Sequence, residues 1–268
     1  MPIANADAIH RVWDELSDYD ASQPEFALRR LMVFLAGLGN VSNVTWTAGI
    51  RMGGVEDGEA APDPLQGWRV AAVKTLNPVA PNKILRAWDR REIDPSFLLP
   101  MRDVGMFRTY SFRRELLAAW FEQPFYREQY AVRDVHDAAF VAFPLNESCE
   151  SHFGLHSRDR VSDEMIQALA YTLRGVKWFH RRLMLSQGLL MADTPLTPTE
   201  QRVLQLLLTE ASEKSIAFQL GIAASTAHQH VVCIFRKFGV RSRVGLMSLW
   251  LNRTSRPSVA DEARTPTD

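Results

Sequence analysis

Two short helical patterns separated by a single glycine constrain the fold of this chain more than any other stretch of its 268 residues. The first pattern ends at Gly221, a residue type that commonly stops a helix, and the second covers about 224–238. Apolar residues in the second pattern recur at the spacing of one helix face. They are Ala227, Val231, Ile234 and Phe238. Two helices joined by so short a turn predict a helix-turn-helix motif.

The face of the second helix opposite this apolar seam is mostly polar. Its residues are Ser225, His228, Gln229, Val232 and Arg236. In helix-turn-helix proteins the second helix lies in the major groove of DNA, and residues near its start contact base edges. The surrounding segment 195–253 has a net charge of +4, whereas residues 1–194 have a net charge of −3. This asymmetry is typical of a chain with a nucleic-acid-binding module.

Helix signals also flank the motif on both sides. Thr197, followed by Pro198 and Glu200, predicts the start of an earlier helix with Thr197 as its N-cap. Ser212 is a suitable N-cap for the first helix of the motif itself. An apolar segment after Arg243 closes the module. We therefore expect a C-terminal unit of four helices.

The segment 196–251 resembles the C-terminal DNA-binding domain of the LuxR/FixJ/NarL family of bacterial transcription regulators. It carries the opening LTPTE, the scaffold helix SEKSIAFQLG, and the recognition helix with its exit, STAHQHVVCIFRKFGVRSR. The resemblance implies base contacts from His228, Gln229 and Val232. It implies phosphate contacts from Lys214, Ser225, Thr226, Arg236, Lys237 and Arg241. It places the dimer contact on the closing helix, at Val244, Met247 and Leu251.

Two details of this module have more than one interpretation at the level of sequence. Arg243 fits either a phosphate contact or an ion pair with Glu200 between helices. His228 stands where the family usually has a lysine, so one charged donor is missing. Base reading then depends more on hydrogen bonds, with Gln229 suited to adenine and His228 suited to donate to a guanine acceptor.

The body of the chain mixes helical and strand patterns. A helical pattern at PEFALRRLMVFLAGLG is followed by two strand patterns, VTWTAGIRM and GWRVAAVKTL. The stretch 83–130 is mostly helical in pattern and rich in aromatic residues. Two further strand patterns, AAFVAFPL and SHFGLHS, precede one long predicted helix that starts after Ser162 and reaches Leu183.

This order of elements is similar to sensor domains of the GAF or PAS type, and its last hairpin and helix also resemble a LuxR-type autoinducer-binding domain. The expected fold class is α+β, with an N-terminal α/β/α sensor-like domain followed by an all-α, four-helix LuxR-type helix-turn-helix domain. We place the sensor or ligand-binding domain at 1–190 and the DNA-binding domain at 191–253. Residues 254–268 have no apolar periodicity, so we expect a disordered tail.

Aromatic residues of the body predict a cavity for an apolar small-molecule ligand with one polar group. We expect its walls to include Trp46, Trp68, Trp88, Tyr110 and Trp120. The sequence IDPSF at 93–97 resembles the Asp-Pro step of acyl-homoserine-lactone readers, but the Trp-x-x-x-Tyr pattern that precedes it in those proteins is absent. We therefore do not expect that class of ligand.

These observations predict a transcription regulator that binds double-stranded DNA as a homodimer at an inverted-repeat operator and responds to a small molecule. The alternative is a DNA-binding adaptor whose N-terminal domain binds a partner protein. We find no nucleophile arranged with a base. Two segments resemble metal-ligand spacings: DVHD at 134–137 fits a solvated loop better, and His228 and His230 point in different directions on one helix. We therefore expect no enzyme activity, metal or cofactor. Two cysteines, no apolar run at the start and no stretch of about 18 apolar residues predict a cytoplasmic protein without a membrane span.

Overall fold

A computed structural model of the chain describes residues 5–52, 63–78, 83–190 and 196–250. The predicted disordered tail at 254–268 lies outside these residues. The strands are β1 Val41–Arg51, β2 Trp68–Thr75, β3 Arg108–Ser111, β4 Asp137–Asn146 and β5 Cys149–Ser157. The α-helices are α1 Ala6–Asp18, α2 Pro24–Ala36, α3 Lys83–Asp89, α4 Pro95–Leu98, α5 Phe112–Glu115, α6 Pro124–Gln129, α7 Asp163–Arg174, α8 Lys177–Ser186, α9 Pro198–Leu207, α10 Glu213–Leu220, α11 Ala224–Lys237 and α12 Arg243–Trp250. Short 3-10 helices cover Ala118–Glu122 and Ala131–Arg133.

The described strands form one antiparallel sheet in the order β2-β1-β5-β4-β3. Because side chains alternate along a strand, each strand contributes residues to both faces of the sheet. In β1, Val44, Trp46 and Ala48 are completely buried on one face, whereas Thr45 and Thr47 lie on the other. The two faces of the sheet therefore have different chemistry.

Helices α1, α2, α7 and α8 cover the face that carries Trp46. Each of them contributes a completely buried side chain to one apolar core, namely Leu16, Leu31, Leu169 and Phe179. Burying a side chain of this size contributes about 1.5–3 kcal/mol. This layer therefore makes a large contribution to the stability of the N-terminal part.

Helices α3 to α6 cover the opposite face, and most of the aromatic residues of 83–130 lie there. Phe112 packs edge-on against Trp120 and Tyr130, with ring centroids 5.1 Å apart in both pairs. The prediction of a mostly helical stretch missed β3, the short edge strand that pairs with β4. Helices lie on both faces of the sheet, so this part is an α/β/α arrangement and the fold class is α+β, as expected.

The prediction of one long helix over 162–183 is wrong, because the chain forms two helices, α7 and α8, that meet at 175–176. The indole Nε1–H of Trp13 donates to the carbonyl oxygen of Thr172 (2.9 Å), and His180 Nε2 lies 3.1 Å from the carbonyl oxygen of Leu173. Side chains that insert into the backbone hydrogen-bond ladder bend or break a helix. Contacts from α1 and α8 thus end α7.

The C-terminal part contains α9 to α12, and its predicted helix boundaries are confirmed. The Thr197 side chain accepts from Glu200 N (3.3 Å), and the Glu200 carboxylate accepts from Thr197 N (2.7 Å), which is a capping box at the start of α9. The Ser212 side chain accepts from Ser215 N (3.2 Å) and so caps α10. Gly221 ends α10 with a φ of 64°, a conformation that glycine adopts without strain.

The apolar seam of α11 is buried as predicted. Ala227, Val231, Ile234 and Phe238 are at most 2% exposed. This core also includes Leu185 of α8, whereas Leu183 of the same helix belongs to the core of the N-terminal part. Helix α8 therefore contributes to both cores.

Candidate nucleic-acid interface and ligand cavity

The polar face of α11 lies on the surface. Ser225, His228, Gln229, Val232 and Arg236 are all exposed. Apart from the adjacent pair His228 and Gln229, these residues follow one another at steps of three or four, so they make one continuous stripe. The stripe begins in the first turn of α11. In helix-turn-helix proteins, residues at this end of the recognition helix contact base edges.

The other residues expected to contact phosphate surround this stripe. Lys214, in the first turn of α10, is exposed, as is Arg241, which follows α11. Thr226 is partly buried beside the start of α11. Lys214 and Arg241 are therefore cations accessible to solvent, one near the start of the motif and one after its end.

His228 makes a contact that our sequence analysis missed. Its Nδ1 lies 2.9 Å from Oε2 of Glu213, in the first turn of α10. A carboxylate only accepts hydrogen bonds, so Nδ1 of His228 carries the hydrogen in this assignment. Nε2 of a neutral His228 is then an acceptor. The two residues lie on different helices and no local pattern links them, so this pair was not predictable from sequence.

The structure gives Lys237 a different role from the expected phosphate contact. Its Nζ lies 2.8 Å from Oε2 of Glu200, and the side chains are only 18% and 7% exposed. Burial acts to raise the pKa of Glu200, but hydrogen bonds from Lys237 and Thr197 outweigh it and hold this pKa below its ordinary value. Lys237 therefore ties the end of α11 to the capping box of α9.

The predicted ion pair between Arg243 and Glu200 is wrong, because Glu200 pairs with Lys237. The phosphate contact of Arg243 stays a prediction. Within the domain, the guanidinium of Arg243 donates to backbone carbonyls. Its Nε lies 2.8 Å from the oxygen of Leu207, its Nη1 lies 2.8 Å from the oxygen of Ala211, and its Nη2 donates to a third carbonyl. A cation at the C-terminal end of α9 satisfies free carbonyls and suits the helix dipole.

Replacing Lys237 by Ala is expected to lower the free energy of unfolding by about 1–2 kcal/mol, because Glu200 loses its cation in a largely buried position. Urea unfolding of the full chain, followed by circular dichroism, measures this loss. Arg236→Ala is the matched control, since Arg236 is exposed at the same end of α11. If Lys237→Ala left stability unchanged and weakened DNA binding instead, the structural role of Lys237 would be wrong.

The closing helix α12 has one buried and one exposed face. Leu246 and Leu249 are buried, whereas Val244 is 75% and Met247 is 40% exposed. The third predicted dimer residue, Leu251, lies outside the described residues. The exposed pair leaves an apolar strip on the surface of α12.

A cavity of about 180 Å³ lies between the sheet and helices α3 and α4. Trp68, Trp88 and Tyr110, three of the residues expected to line a pocket, are in its wall. Thr45 and Thr47 of β1 and the edge of Phe97 also face it. The wall is predominantly aromatic and aliphatic, with polar atoms from the sheet.

Trp46 and Trp120 do not line this cavity, which corrects the sequence prediction. Trp46 alternates to the other face of β1, where its Nε1–H donates to Ser151 Oγ (2.8 Å). Trp120 lies within the aromatic cluster and donates from Nε1 to Oδ1 of Asp94 (3.0 Å). The carboxylate of Asp94, the acidic residue of the IDPSF segment, is therefore hydrogen-bonded to other residues of the protein.

Two polar groups of the wall lack hydrogen-bond partners among the described residues, and two titratable groups of the wall are neutral. The buried Nε1 atoms of Trp68 and Trp88 make no hydrogen bond within the described residues. Burial, and after it the positive charge of Arg133, lower the pKa of His156 to about 4, so its ring is neutral near pH 7. Burial raises the pKa of the Tyr110 hydroxyl, which therefore also stays neutral.

A buried ion pair supports one end of the cavity. Arg108 binds Glu150 with two hydrogen bonds, of 2.9 Å and 2.8 Å, and Glu150 also lies 3.1 Å from His152 Nε2. Burial acts to raise the pKa of Glu150, but its hydrogen bonds from His152 and Arg108 outweigh this and lower the pKa to about 2. His152 lines the cavity, so the pair fixes part of the wall.

Metal binding and membrane insertion have no support in the part of the chain that the structure describes. Within those ranges, no group of three or more His, Cys, Asp or Glu side chains is placed to hold a metal ion. No helix among the described residues has the length and apolar character to cross a membrane.

Residues 194–250 match the family model described as bacterial regulatory proteins, luxR family. The match spans α9 to α12 and includes the whole polar stripe of α11. These residues form a LuxR-family domain. The resemblance to this family that the sequence motifs indicated is thereby confirmed for this domain.

A curated relative of this chain is a transcriptional regulator. The chain is 29% identical over 93 residues to the transcriptional regulatory protein MctR of Rhizobium johnstonii, and the aligned part is 34% of this chain. The alignment spans only 44% of the length of MctR.

Solved structures of two other proteins match this chain at low sequence identity. The VqsR LBD domain from Pseudomonas aeruginosa has 17% identity and a TM-score of 0.47, covering 66% of this chain and 97% of that one. Escherichia coli SdiA has 13% identity and a TM-score of 0.47, covering 92% and 97%. SdiA in complex with octanoyl-rac-glycerol has 14% identity and a TM-score of 0.46, covering 95% and 97%. None of these similarities assigns a ligand to this chain.

Proposed function

We propose that this protein is a sequence-specific transcription regulator that binds double-stranded DNA through α11. The observation that supports this function is the exposed polar stripe of α11 inside a LuxR-family domain. His228, Gln229 and Val232 contact bases in this proposal. Lys214, Ser225, Thr226, Arg236 and Arg241 contact phosphates.

The pairing of His228 with Glu213 favours a different base contact from the one that the sequence suggested. With hydrogen on Nδ1, a neutral His228 offers an acceptor at Nε2. Acceptors in the major groove suit the N4 amino group of cytosine or the N6 amino group of adenine, whereas guanine presents acceptors of its own. We therefore propose that His228 reads cytosine or adenine.

The protein acts as a homodimer in this proposal. Val244 and Met247 form an exposed apolar strip on α12, which suits contact with a second copy. Two recognition helices related by a two-fold axis meet the major groove about 34 Å apart, so the operator is an inverted repeat.

The N-terminal part, residues 1–190, binds a small molecule that controls the DNA-binding part, residues 191–253. The indole N–H groups of Trp68 and Trp88, which have no partner among the described residues, favour a ligand over a partner protein. Buried donors are normally satisfied, and a ligand in the cavity supplies an acceptor, either an oxygen or the face of an aromatic ring. Helix α8 contributes to both cores and is the element through which a change in one reaches the other.

Gln229→Ala is expected to reduce the preference for one base by about 1–3 kcal/mol, because it removes a bidentate contact to a base edge. Fluorescence anisotropy with an operator obtained by in vitro selection, and with single-base variants of it, measures this preference. Arg241→Ala is the control: it should weaken all sequences alike and reduce the salt slope by about one. Equal losses at every sequence for Gln229→Ala would contradict the assignment of the recognition face.

Native mass spectrometry before and after mild denaturation tests the ligand and the dimer together. A small molecule that leaves a dimer on denaturation supports ligand control. A bare dimer that still binds its operator leaves DNA binding intact and favours the adaptor, in which a partner protein supplies the signal. A protein that binds no operator contradicts the function as a whole.

A further inference from the structure

The cavity beneath α3 adjoins a second chamber of about 510 Å³. Residues of the sheet, of α3 and of the chain just after α6 line both chambers. The shared residues are Thr45, Val73, Ile84, Leu85, Tyr130 and His156. The chambers therefore lie side by side at His156, and a ligand long enough to pass His156 would occupy both.

The first chamber has the size and the wall of a site for one aromatic ring. Its volume is about 180 Å³, and an apolar engineered cavity of about 150 Å³ is large enough for benzene. Trp88 and Phe97 pack against each other at 5.3 Å between ring centroids, and both line the chamber. The described lining includes no Asp, Glu or Lys, and its one arginine, Arg69, lies 3.5 Å from Asp63.

The second chamber, unlike the first, contains a positive charge that no described carboxylate balances. Its described lining includes Arg133 and Arg158 and no carboxylate. Arg158 is neutralised by Asp134, with Nε and Oδ2 2.7 Å apart. Among the described residues no carboxylate lies within ion-pair distance of Arg133, whose guanidinium donates to the backbone carbonyl of Gln129.

The charge of Arg133 acts at the junction between the chambers. It is one of the groups that lower the pKa of His156, and it also acts on the hydroxyl of Tyr130. Both residues line both chambers. A partly buried guanidinium without an acidic partner, close to a neutral aromatic chamber, fits a ligand with an anion at one end.

We propose that the two chambers together bind an aromatic carboxylate, with its ring against Trp68 and Trp88 and its carboxylate at Arg133. This inference rests on the proposed function, since it names the chemical class of the controlling ligand. One carboxylate carries one negative charge and matches the one guanidinium that lacks an acidic partner among the described lining residues. A phosphate of higher charge would leave a negative charge uncompensated in a partly buried site.

The probes are phenyl carboxylates with zero to three methylene groups between ring and carboxylate, from benzoate to 4-phenylbutyrate, each with its matched alcohol. Isothermal titration calorimetry on the full-length protein measures their affinities. The tightest acid is expected to bind at least ten-fold more tightly than its alcohol. If no acid binds, or if acid and alcohol bind equally, the proposal is wrong.

Two arginine variants separate the specific contact from general attraction. Arg133→Met should reduce the preference for acid over alcohol to less than two-fold while leaving the alcohol affinity unchanged. Arg158→Met is the matched control, because Arg158 lines the same chamber but is paired with Asp134. An equal loss of preference in both variants would assign the effect to net charge and overturn the contact at Arg133.

A third variant tests the ring chamber. Gly49 lines it, and a Cβ at this position would lie 3.5 Å from Trp68 Cε3 and 3.6 Å from His152 Nε2, which are ordinary contact distances. Gly49→Val should therefore fold, fill part of the chamber and weaken acid and alcohol at least ten-fold. Unchanged affinities in a folded Gly49→Val variant would place the ring elsewhere.

Failure of this proposal is distinguishable from failure of the proposed function. A protein that binds its operator and releases some other small molecule in native mass spectrometry, but binds none of the acids, keeps its function and loses this ligand class. A protein without operator binding loses the function, whatever the calorimetry gives.

Discussion

The Glu150→Gln variant is expected to unfold with a free energy about 3–5 kcal/mol lower than that of the unsubstituted protein. The side chains of Arg108 and Glu150 are 9% and 1% exposed, and two hydrogen bonds join them. Glutamine keeps the size of the side chain but removes the charge, so Arg108 becomes a buried cation without a carboxylate. Breaking a buried pair in this way costs far more than the net contribution of the pair itself.

Urea unfolding of the full chain at pH 7, followed by circular dichroism, measures this loss. Glu122→Gln is the matched control, because Glu122 and Arg127 form a pair with side chains 73% and 63% exposed, and such pairs contribute about 0–1 kcal/mol. The two variants should therefore differ by at least about 2 kcal/mol. Equal stabilities would mean that water reaches Arg108 and that the pair does not support the wall at His152.

The C-terminal domain was predictable because its signals are local. Thr197 and Glu200 are three residues apart and cap one helix, and Gly221 ends the next with a φ of 64°. The seam of α11 follows from the helical period alone. The contacts that Lys237 and Arg243 make within the domain were not predictable, because their partners lie on α9 or just after it, more than 30 residues earlier. Sequence spacing contains no information about such contacts.

The N-terminal part was harder to predict because its boundaries depend on tertiary contacts. The strand patterns identified β1, β2, β4 and β5, but the four-residue β3 exists through its pairing with β4. The end of α7 depends on a hydrogen bond from Trp13, 159 residues away in sequence. Neither feature leaves a periodic signal.

The pocket residues show the same limit. Trp46 and Thr45 are neighbours in sequence, yet strand alternation places Trp46 in the helix-covered core and Thr45 at the cavity. A list of aromatic residues does not say which face of the sheet is closed by which helices. Arg133 was not among the predicted site residues, because an arginine near a 3-10 helix has no distinguishing pattern until the fold brings it beside His156.

The stability of the protein is expected to fall as the pH is lowered from 6.5, because His180 is completely buried and neutral. The Trp46 indole N–H donates to Ser151 Oγ, and the Ser151 hydroxyl in turn donates to Nδ1 of His180 (2.8 Å). Nε2 of His180 carries the hydrogen that faces the carbonyl oxygen of Leu173. Protonation at Nδ1 would place a charge in the core and break the bond from Ser151.

The direction and size of the effect follow from the pKa of His180. Burial lowers this pKa from an ordinary value of 6.5 to about 3. Between these values the unfolded chain binds a proton that the folded chain does not, so stability present above pH 6.5 is lost as the pH falls. The loss is about 1.4 kcal/mol per pH unit from this one residue. His156, whose pKa is also lowered, adds a loss in the same direction.

Urea unfolding at intervals between pH 7 and pH 5 measures this slope, in a range above the window from 4.5 to about 2 in which Glu150 titrates. A His180→Gln variant should be less stable at pH 7 but have a slope smaller by about 1.4 kcal/mol per pH unit, because glutamine binds no proton. His136→Gln is the control, since the His136 side chain is 56% exposed, and it should keep the slope of the unsubstituted protein. A stability that stays constant from pH 6.5 to pH 5 would mean that the folded protein accepts the proton at His180. The hydrogen bond between Ser151 of β5 and His180 of α8 would then open in mild acid.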